Sequence, residues 1–312
     1  MPTPLRILIL EDCPDDAELM LHALRQAGYE PDWQRVETEP DYVSRLDPSL
    51  DIILADYALP QFDAIHALRL LRERGLDIPF IVVTSSISEE EAVESIKEGA
   101  ADYLLKDRLA RLGPAVVQAV QEKRLRDEKR RAEERLTKMS ECFLGFGTDP
   151  HENMNHLTVL CGELMGAAFA LYNRLDRGRL CSWGQWNTPS DYNHLDKPNG
   201  HVCYDVIQRG DAQPLVVRNL PETPYAQTDP NVLLYNLQTY VGVAVKLGGA
   251  CVGSLCVVYQ EDFVPSEEDK KLMGIIASAM GIEERRYSAE EALHRRDAIL
   301  EAVSFAAERF LT

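Results

Sequence analysis

The sequence has no long apolar run and no surplus of basic residues. No stretch approaches the roughly 18 apolar residues of a membrane-spanning helix, and the first residues lack the apolar core of a signal peptide. The 33 Lys and Arg residues are outnumbered by 51 Asp and Glu residues, for a formal net charge of −18. Because nucleic-acid backbones are bound by clustered basic side chains, this balance argues against a nucleic-acid partner. We expect a cytoplasmic protein without a membrane partner.

Cysteine is sparse and unpatterned. The seven cysteines show neither CxxC spacing nor the density of a disulfide-stapled secreted domain, so reduced thiols are predicted. At 312 residues the chain exceeds a typical single domain, and two domains are the default expectation.

Polar side chains of different chemistry follow four short apolar runs in the first part of the chain. Glu11 and Asp12 follow residues 5–10, Asp56 follows 51–55, Thr84 follows 80–83 and Lys106 follows 103–105. Near-continuous apolar runs predict parallel strands buried on both faces, and open α/β sheets gather their sites at the carboxyl ends of such strands. The three acids suit a hard divalent cation, which leaves the ammonium and the hydroxyl to hold an anion. A phosphoryl group on a carboxylate beside Mg²⁺ is the simplest chemistry that uses all five groups.

Three amphipathic segments between these runs predict helices, each closed by a glycine: residues 15–27 by Gly28, 64–74 by Gly75 and 88–98 by Gly99. Ser88 followed by Glu91 forms a capping box at the third helix. With a weaker second strand at 30–36 and a last helix from about Gly113, the order is (βα)₅. This order predicts a flavodoxin-like doubly wound domain.

At these residues the chain resembles the receiver family of response regulators. The acid pair Glu11-Asp12 and Lys106 occur in the order and at the intervals of that family, as do residues 56–60, 84–86 and 99–103. The resemblance covers residues 5 to about 122, and we assign residues 1–122 to this domain. Two residues depart from the usual pattern: Asp107 stands where many receivers carry proline, and Ala64 stands where glycine is common.

The resemblance implies a role for each site residue. Asp56 would be the phosphoacceptor, and Asp12, Asp56 and the backbone carbonyl of Ala58 would bind Mg²⁺, with Glu11 acting through coordinated water. Thr84 and Lys106 would contact the phosphoryl oxygens. Thr84 and Tyr103 would form the conformational switch. The donor would be a histidine kinase or a phosphotransfer protein. The chemistry is consistent, because a carboxylate nucleophile forms an acyl phosphate while a metal and a fixed cation take up charge.

A charged helical linker is predicted at residues 113–141. Residues 125, 129, 132, 136, 139 and 143 recur at alternating steps of four and three, which is the seam of a two-stranded coiled coil. A parallel dimer is one interpretation, and a single solvated helix with intrahelical ion pairs is the other.

The pattern of residues 137–286 resembles a GAF domain. It has helices at 151–164 and 202–208, strands at 167–172, 180–183 and 215–217, and a hairpin of strands 240–245 and 251–259 with glycines in its turn. A closing helix begins at the cap residue Ser266, with a predicted apolar face of Leu272, Ile275, Ile276 and Met280. The resemblance gives an antiparallel sheet with a C-terminal helix.

Members of that family bind cyclic nucleotides, bilins, haem or other small molecules, and some bind nothing, so the ligand stays open. The candidate pocket residues are Trp183, His201, Cys203, Tyr204 and Tyr240, although aromatic residues of this kind also serve as plain core. His194 and His201 are the histidines that a haem could use.

A last helix with heptad phase is predicted at residues 283–312, and it still presents apolar residues where the sequence stops. We expect it to lead to a missing output domain, such as a histidine kinase or a diguanylate cyclase, and to form a homodimer together with helix 113–141. The leading hypothesis is phosphorelay signalling, with no enzyme activity in this part of the chain beyond phosphorylation and dephosphorylation of the receiver. The alternatives are a small-molecule phosphatase with Asp56 as nucleophile, which lacks a second acid at Ala58, and a phosphorylation-independent scaffold.

Overall fold

The computed structural model describes residues 2–60, 62–85 and 89–310, with the side chains of 89 and 305–310 left aside. Ser86 and Ser88 of the predicted motifs, the side chains of Ala307 and Phe310 and the last two residues of the predicted helix 283–312 therefore lie outside the described residues. The chain divides into two compact units, Met1–Glu133 and Glu134–Thr312.

The first unit is a five-stranded parallel sheet of order β2-β1-β3-β4-β5 with helices on both faces. Its elements are β1 Thr3–Leu10, α1 Pro14–Gln26, β2 Tyr29–Val36, α2 Glu39–Arg45, β3 Ile52–Ala55, α3 Ala64–Glu73, β4 Phe80–Thr84, α4 Glu89–Lys97, β5 Asp102–Leu105, a 3₁₀ helix Lys106–Arg111 and α5 Leu112–Leu144. The predicted flavodoxin-like (βα)₅ fold is confirmed.

Alternate residues of β1, β3 and β4 enter two separate cores. Ile9 and Leu54 pack with α1 and the start of α5, whereas Leu10 and Ile53 pack on the side of α3. Because side chains of successive strand residues point to opposite faces, a strand buried on both faces must be apolar at nearly every position. This requirement explains the near-continuous apolar runs of the sequence.

The second unit is a six-stranded antiparallel sheet of order β8-β7-β6-β11-β10-β9. Its elements are α6 Pro150–Met165, β6 Phe169–Asp176, β7 Arg179–Trp186, β8 Leu195–Asp196, α7 Val202–Arg209, β9 Leu215–Val217, a 3₁₀ helix Leu220–Glu222, α8 Tyr225–Thr228, α9 Pro230–Leu234, β10 Thr239–Leu247, β11 Ala250–Tyr259 and α10 Glu267–Phe310. The predicted antiparallel sheet with a C-terminal helix is confirmed, and β8, α8 and α9 are additions.

The hairpin and the start of α10 follow from local chemistry. Gly248 and Gly249 connect β10 to β11 with φ angles of +59° and +93°, a left-handed backbone that suits glycine. The Ser266 hydroxyl accepts a hydrogen bond of 3.1 Å from the Asp269 amide, as a helix N-cap does.

The prediction that Ile275 belongs to the buried apolar face of α10 is wrong. Ile275 is 51% exposed, whereas Leu272, Ile276 and Met280 are buried as predicted and Met273 is buried in addition. The buried stripe follows the 3.6-residue period on the side of Met273, which turns Ile275 to solvent. The helix continues through position 283 without a break.

Among the described residues no helix is long and apolar enough to cross a membrane.

Candidate functional site

The carboxyl ends of β1 and β3 bring three acids together. Strand β1 pairs with β3 in the register Leu10↔Ala55, and the Asp56 amide donates a 2.8 Å hydrogen bond to the Leu10 carbonyl. Glu11, Asp12 and Asp56 each place one carboxylate oxygen within 4.8 Å of the others. The sheet register therefore converges the three acids that the sequence singled out.

Lys106 joins this cluster from the end of β5. Its Nζ lies 2.7 Å from Asp56 Oδ2, 2.8 Å from Glu11 Oε2 and 2.5 Å from Asp16 Oδ2. Burial lowers the pKa of Lys106, but the hydrogen bonds to Asp16, Asp56 and Glu11 outweigh burial, so the pKa is raised. The ammonium is thus held charged beside the Asp56 carboxylate.

Asp16 is a site residue that the sequence analysis missed. It lies in the first turn of α1, which begins at Pro14. Acids in a first turn are common because they favour the positive end of the helix dipole, so its presence alone carried no signal.

Glu11 is fully buried, and both of its carboxylate oxygens have a partner. Oε1 accepts a 3.2 Å hydrogen bond from the Cys13 amide, and Oε2 lies 2.8 Å from the Lys106 ammonium. Burial raises the pKa of Glu11, and Lys106 lowers it by a smaller amount. The buried carboxylate is thus compensated by the Lys106 ammonium.

The acid cluster fits Mg²⁺, which prefers carboxylate oxygens and retains several waters. One carboxylate oxygen of each acid lies within 4.8 Å of the others, so small side-chain movements bring them to the spacing of ligands around an ion with Mg–O distances of roughly 2.1 Å. Asp12 is exposed, so water can reach the cluster from that side. Ala58 lies on the exposed side of the loop after β3, where it bridges to Asp63.

Thr84 and Tyr103 lie on neighbouring strands. Thr84 ends β4, is buried and pairs with Leu105, while Tyr103 pairs with Val82. The Tyr103 side chain is 38% exposed and points outward in this structure. The pairing of β4 with β5 connects these two positions through the sheet.

A small cavity of about 30 Å³ lies in the second unit between the sheet and α7. Three of the five predicted pocket residues line it, namely His201, Cys203 and Tyr240. Trp183 and Tyr204 are not among its lining residues. Trp183 belongs to the core on the other side of the sheet, where Arg174 lies over its ring and Tyr287 packs edge-on against it, and Tyr204 is half-buried on another face of α7.

His201 is held by two acids. Its Nδ1 lies 3.2 Å from Asp229 Oδ1 and its Nε2 lies 3.5 Å from Asp196 Oδ2. Burial lowers the pKa of His201, but the hydrogen bond and the charge of Asp229 outweigh burial and raise it. With both nitrogens engaged and a cavity with room for only one or two water-sized molecules, this conformation does not accommodate haem, a bilin or a cyclic nucleotide.

Two protein-family models match the chain, each over a different part. The family model for the response regulator receiver domain matches residues 7–116, and the model for the GAF domain matches residues 149–283.

Individual relatives match one unit at a time. The phosphate regulon transcriptional regulatory protein PhoB of Klebsiella pneumoniae is 35% identical over 107 residues, which cover 32% of this chain and 44% of PhoB. The chain therefore spans less than half the length of this curated relative. A response regulator receiver domain protein from Clostridium thermocellum covers 39% of this chain and 98% of its own at 21% identity and a TM-score of 0.35. The GAF domain from a phosphoenolpyruvate-protein phosphotransferase of Coxiella burnetii covers 52% and 96% at 15% identity and a TM-score of 0.45.

Proposed function

Because the chain carries a response regulator receiver domain followed by a GAF domain, we propose that it is a phosphorelay protein whose receiver accepts a phosphoryl group on Asp56. Its similarity to response regulators supports two-component signalling as the general role. The donor in this proposal is a histidine kinase or a phosphotransfer protein. The predicted cytoplasmic location remains a prediction.

The observation that carries the proposal is the 2.7 Å contact between Asp56 Oδ2 and Lys106 Nζ beside two further acids. In the proposed reaction a carboxylate oxygen of Asp56 attacks the phosphorus of a phosphohistidine, the P–N bond breaks and the imidazole leaves. The Lys106 ammonium then binds a transferred phosphoryl oxygen, and the Thr84 hydroxyl contacts another. Mg²⁺ held by Asp12, Asp56 and the Ala58 carbonyl, with Glu11 acting through water, would neutralise charge on the phosphoryl oxygens.

Signal output in this proposal runs through β4, β5 and α5. Movement of Thr84 toward the phosphoryl group would let Tyr103 turn inward, because the two residues lie on paired strands. Helix α5 begins among buried residues of the first unit, including Leu112 and Val116, and its second half presents Met139 to the core of the second unit. One continuous helix is thus available to transmit a change.

We also propose that the chain forms a homodimer through α5 and α10. Both helices expose apolar residues at heptad positions, among them Leu125, Leu136, Leu293, Leu300 and Val303. An output domain beyond α10 remains part of the proposal.

Beryllofluoride with Mg²⁺ tests the receiver chemistry without a kinase. We expect it to slow hydrogen exchange in peptides covering β4 and β5 of the wild-type chain, because a phosphoryl mimic on Asp56 engages Thr84 and Lys106. Asp56→Asn is the matched control, since it keeps the shape of the side chain and removes the acceptor carboxylate. Equal protection in both proteins would contradict the proposal.

A further inference from the structure

Two buried cysteines of the second unit lie in van der Waals contact beside the cavity. Cys203 Sγ on α7 and Cys256 Sγ on β11 are 3.6 Å apart, and both line the cavity. A disulfide requires an S–S distance of about 2.05 Å, so closure needs the two sulfurs to approach each other by about 1.5 Å. The described structure holds all seven cysteines as free thiols. The pair is thus reduced and within reach of closure.

Hydrogen-bond donors lie closer to one sulfur of the pair than to the other. Cys203 Sγ accepts from Asn173 Nδ2 at 3.1 Å and from the Tyr240 hydroxyl at 3.5 Å, in addition to its contact with the Cys256 thiol. The same Asn173 nitrogen is 3.9 Å from Cys256 Sγ. The orientation of the Asn173 amide is fixed because its Oδ1 accepts a 2.6 Å hydrogen bond from the Ser182 hydroxyl. Donors aimed at a sulfur favour its thiolate form, which is the nucleophile.

One further feature acts in the same direction. Cys203 lies in the first turn of α7, where the helix dipole stabilises negative charge. The hydrogen bond with Cys256 lowers the pKa of Cys203 and raises that of Cys256. The two thiols are therefore unequal, with Cys203 the readier to ionise.

The cavity has the size of a small oxidant. Its volume of about 30 Å³ exceeds the roughly 10–15 Å³ that one water-sized probe needs, so it has room for a molecule such as hydrogen peroxide. Its lining extends from the two sulfurs to Asn193, which is exposed, and to half-buried Asp196. A small polar molecule can thus approach from solvent along polar side chains.

We propose that Cys203 and Cys256 form a peroxide-reactive dithiol, with Cys203 as the attacking thiolate and Cys256 as the resolving thiol. This proposal is independent of the receiver chemistry. No residue of the acid cluster takes part.

The reaction balances with hydrogen peroxide as the oxidant. The Cys203 thiolate attacks a peroxide oxygen, the O–O bond breaks and the departing hydroxide takes a proton to become water, which leaves a sulfenic acid. Cys256 sulfur then attacks Cys203 sulfur, the S–O bond breaks and the second hydroxide leaves as water with the Cys256 proton. Two thiols lose two electrons and two protons, and the peroxide is reduced to two waters. The resulting disulfide would link α7 covalently to the central strand β11.

Peptide mapping of the full chain after stoichiometric hydrogen peroxide tests the proposal. We expect a reducible cross-link between the peptides of Cys203 and Cys256, formed before the half-buried Cys142 or Cys181 is modified. Cys256→Ala should stop the reaction at a Cys203 sulfenic acid, which dimedone traps. Cys142→Ala is the control variant and should give the wild-type cross-link.

A second variant tests the activation of Cys203. Tyr240→Phe removes one donor from the sulfur and should slow cross-linking about threefold, in keeping with the loss of one modest hydrogen bond. Tyr225→Phe, whose hydroxyl donates to Asp205 instead, should react at the wild-type rate. Oxidation that leaves Cys203 and Cys256 reduced while other cysteines react, or that links either one elsewhere, overturns the proposal. The wild-type map decides this even where a variant fails to fold.

Discussion

Lys106 is the residue on which the charge balance of the acid cluster depends. One ammonium contacts Glu11, Asp16 and Asp56, and two of these acids are largely removed from solvent. Removing one partner of a buried ion pair leaves an uncompensated charge, which costs more than the pair contributes. The same ammonium is the proposed ligand of the phosphoryl group, so its stability role and its chemical role meet in one side chain.

Lys106→Met should destabilise the first unit by about 2 kcal/mol near neutral pH, because Glu11 and Asp56 lose their cation. Hydrogen-exchange mass spectrometry on β1 and β3 peptides measures this loss. The loss should shrink at lower pH, since burial raises the pKa of Glu11 and the neutral carboxyl needs no cation. Lys97→Met, at an exposed position of α4, serves as the control. Unchanged exchange in Lys106→Met would contradict this role.

His201 makes the stability of the second unit depend on pH. Its folded pKa lies above the usual 6.5 because Asp229, helped by Asp196, outweighs the cost of burial. The folded chain then binds the proton more tightly than the unfolded chain, so the stabilisation is complete below 6.5 and is lost as pH rises through the folded pKa. His201→Gln should flatten this dependence, whereas His156→Gln should preserve it. Denaturant unfolding followed by Trp183 and Trp186 fluorescence in a Trp33→Phe background is the measurement.

At the scale of elements, a buried ion pair connects α10 to β6. Arg174 Nε lies 3.0 Å from Glu284, which is fully buried and also accepts a hydrogen bond from the Tyr172 hydroxyl. The Arg174 guanidinium lies 4.3 Å from the centre of the Trp183 ring, a cation–π geometry. Helix α10 is thereby held to the sheet at the point where its exposed part begins.

Arg174→Met should destabilise the second unit by about 3 kcal/mol, because it leaves the Glu284 carboxylate buried without a cation. The same fluorescence-detected unfolding reports the change in midpoint. Arg179→Met, at the exposed start of β7, is the matched control and should stay within about 0.5 kcal/mol of wild type. A neutral effect of Arg174→Met would show that Glu284 is compensated by other groups.

The elements differ in how far the sequence could predict them. The parallel strands could be predicted because burial on both faces requires long apolar runs. The hairpin could be predicted because its left-handed turn requires glycines, here Gly248 and Gly249. Strand β8 and helices α8 and α9 are only two to five residues long, which is too short to show a hydrophobic period in the sequence. Asn173 was missed because its place in the sequence does not tell which polar atoms its side chain will meet. Its contact with Cys203 depends on α7, which is distant in sequence.

At the scale of the whole molecule, the two long helices carry most of the exposed apolar side chains with heptad spacing. Leu136 is 65% exposed on α5 and Leu300 is 56% exposed on α10. Apolar residues at these positions are typical of a coiled-coil seam, which underlies the proposed dimer.

Leu136→Glu and Leu300→Glu should each weaken dimerisation at least about tenfold, because a charge in the seam must be desolvated or must disrupt packing. Sedimentation equilibrium over a range of protein concentrations measures the dissociation constant. Arg131→Glu changes charge away from the seam and should leave that constant nearly unchanged. A wild-type chain that stays monomeric at high concentration would contradict the proposed dimer.

The central claim is that Asp56 stores a phosphoryl group. The most direct test is the mass of the full chain after incubation with acetyl phosphate and Mg²⁺, followed by reductive trapping of the acyl phosphate and peptide mapping. The proposal predicts one phosphoryl group, located on the peptide of Asp56, lost when Mg²⁺ is chelated beforehand and absent from Asp56→Asn. A wild-type chain that gains no phosphoryl group, or one that keeps the adduct when Asp56 is replaced, would contradict it.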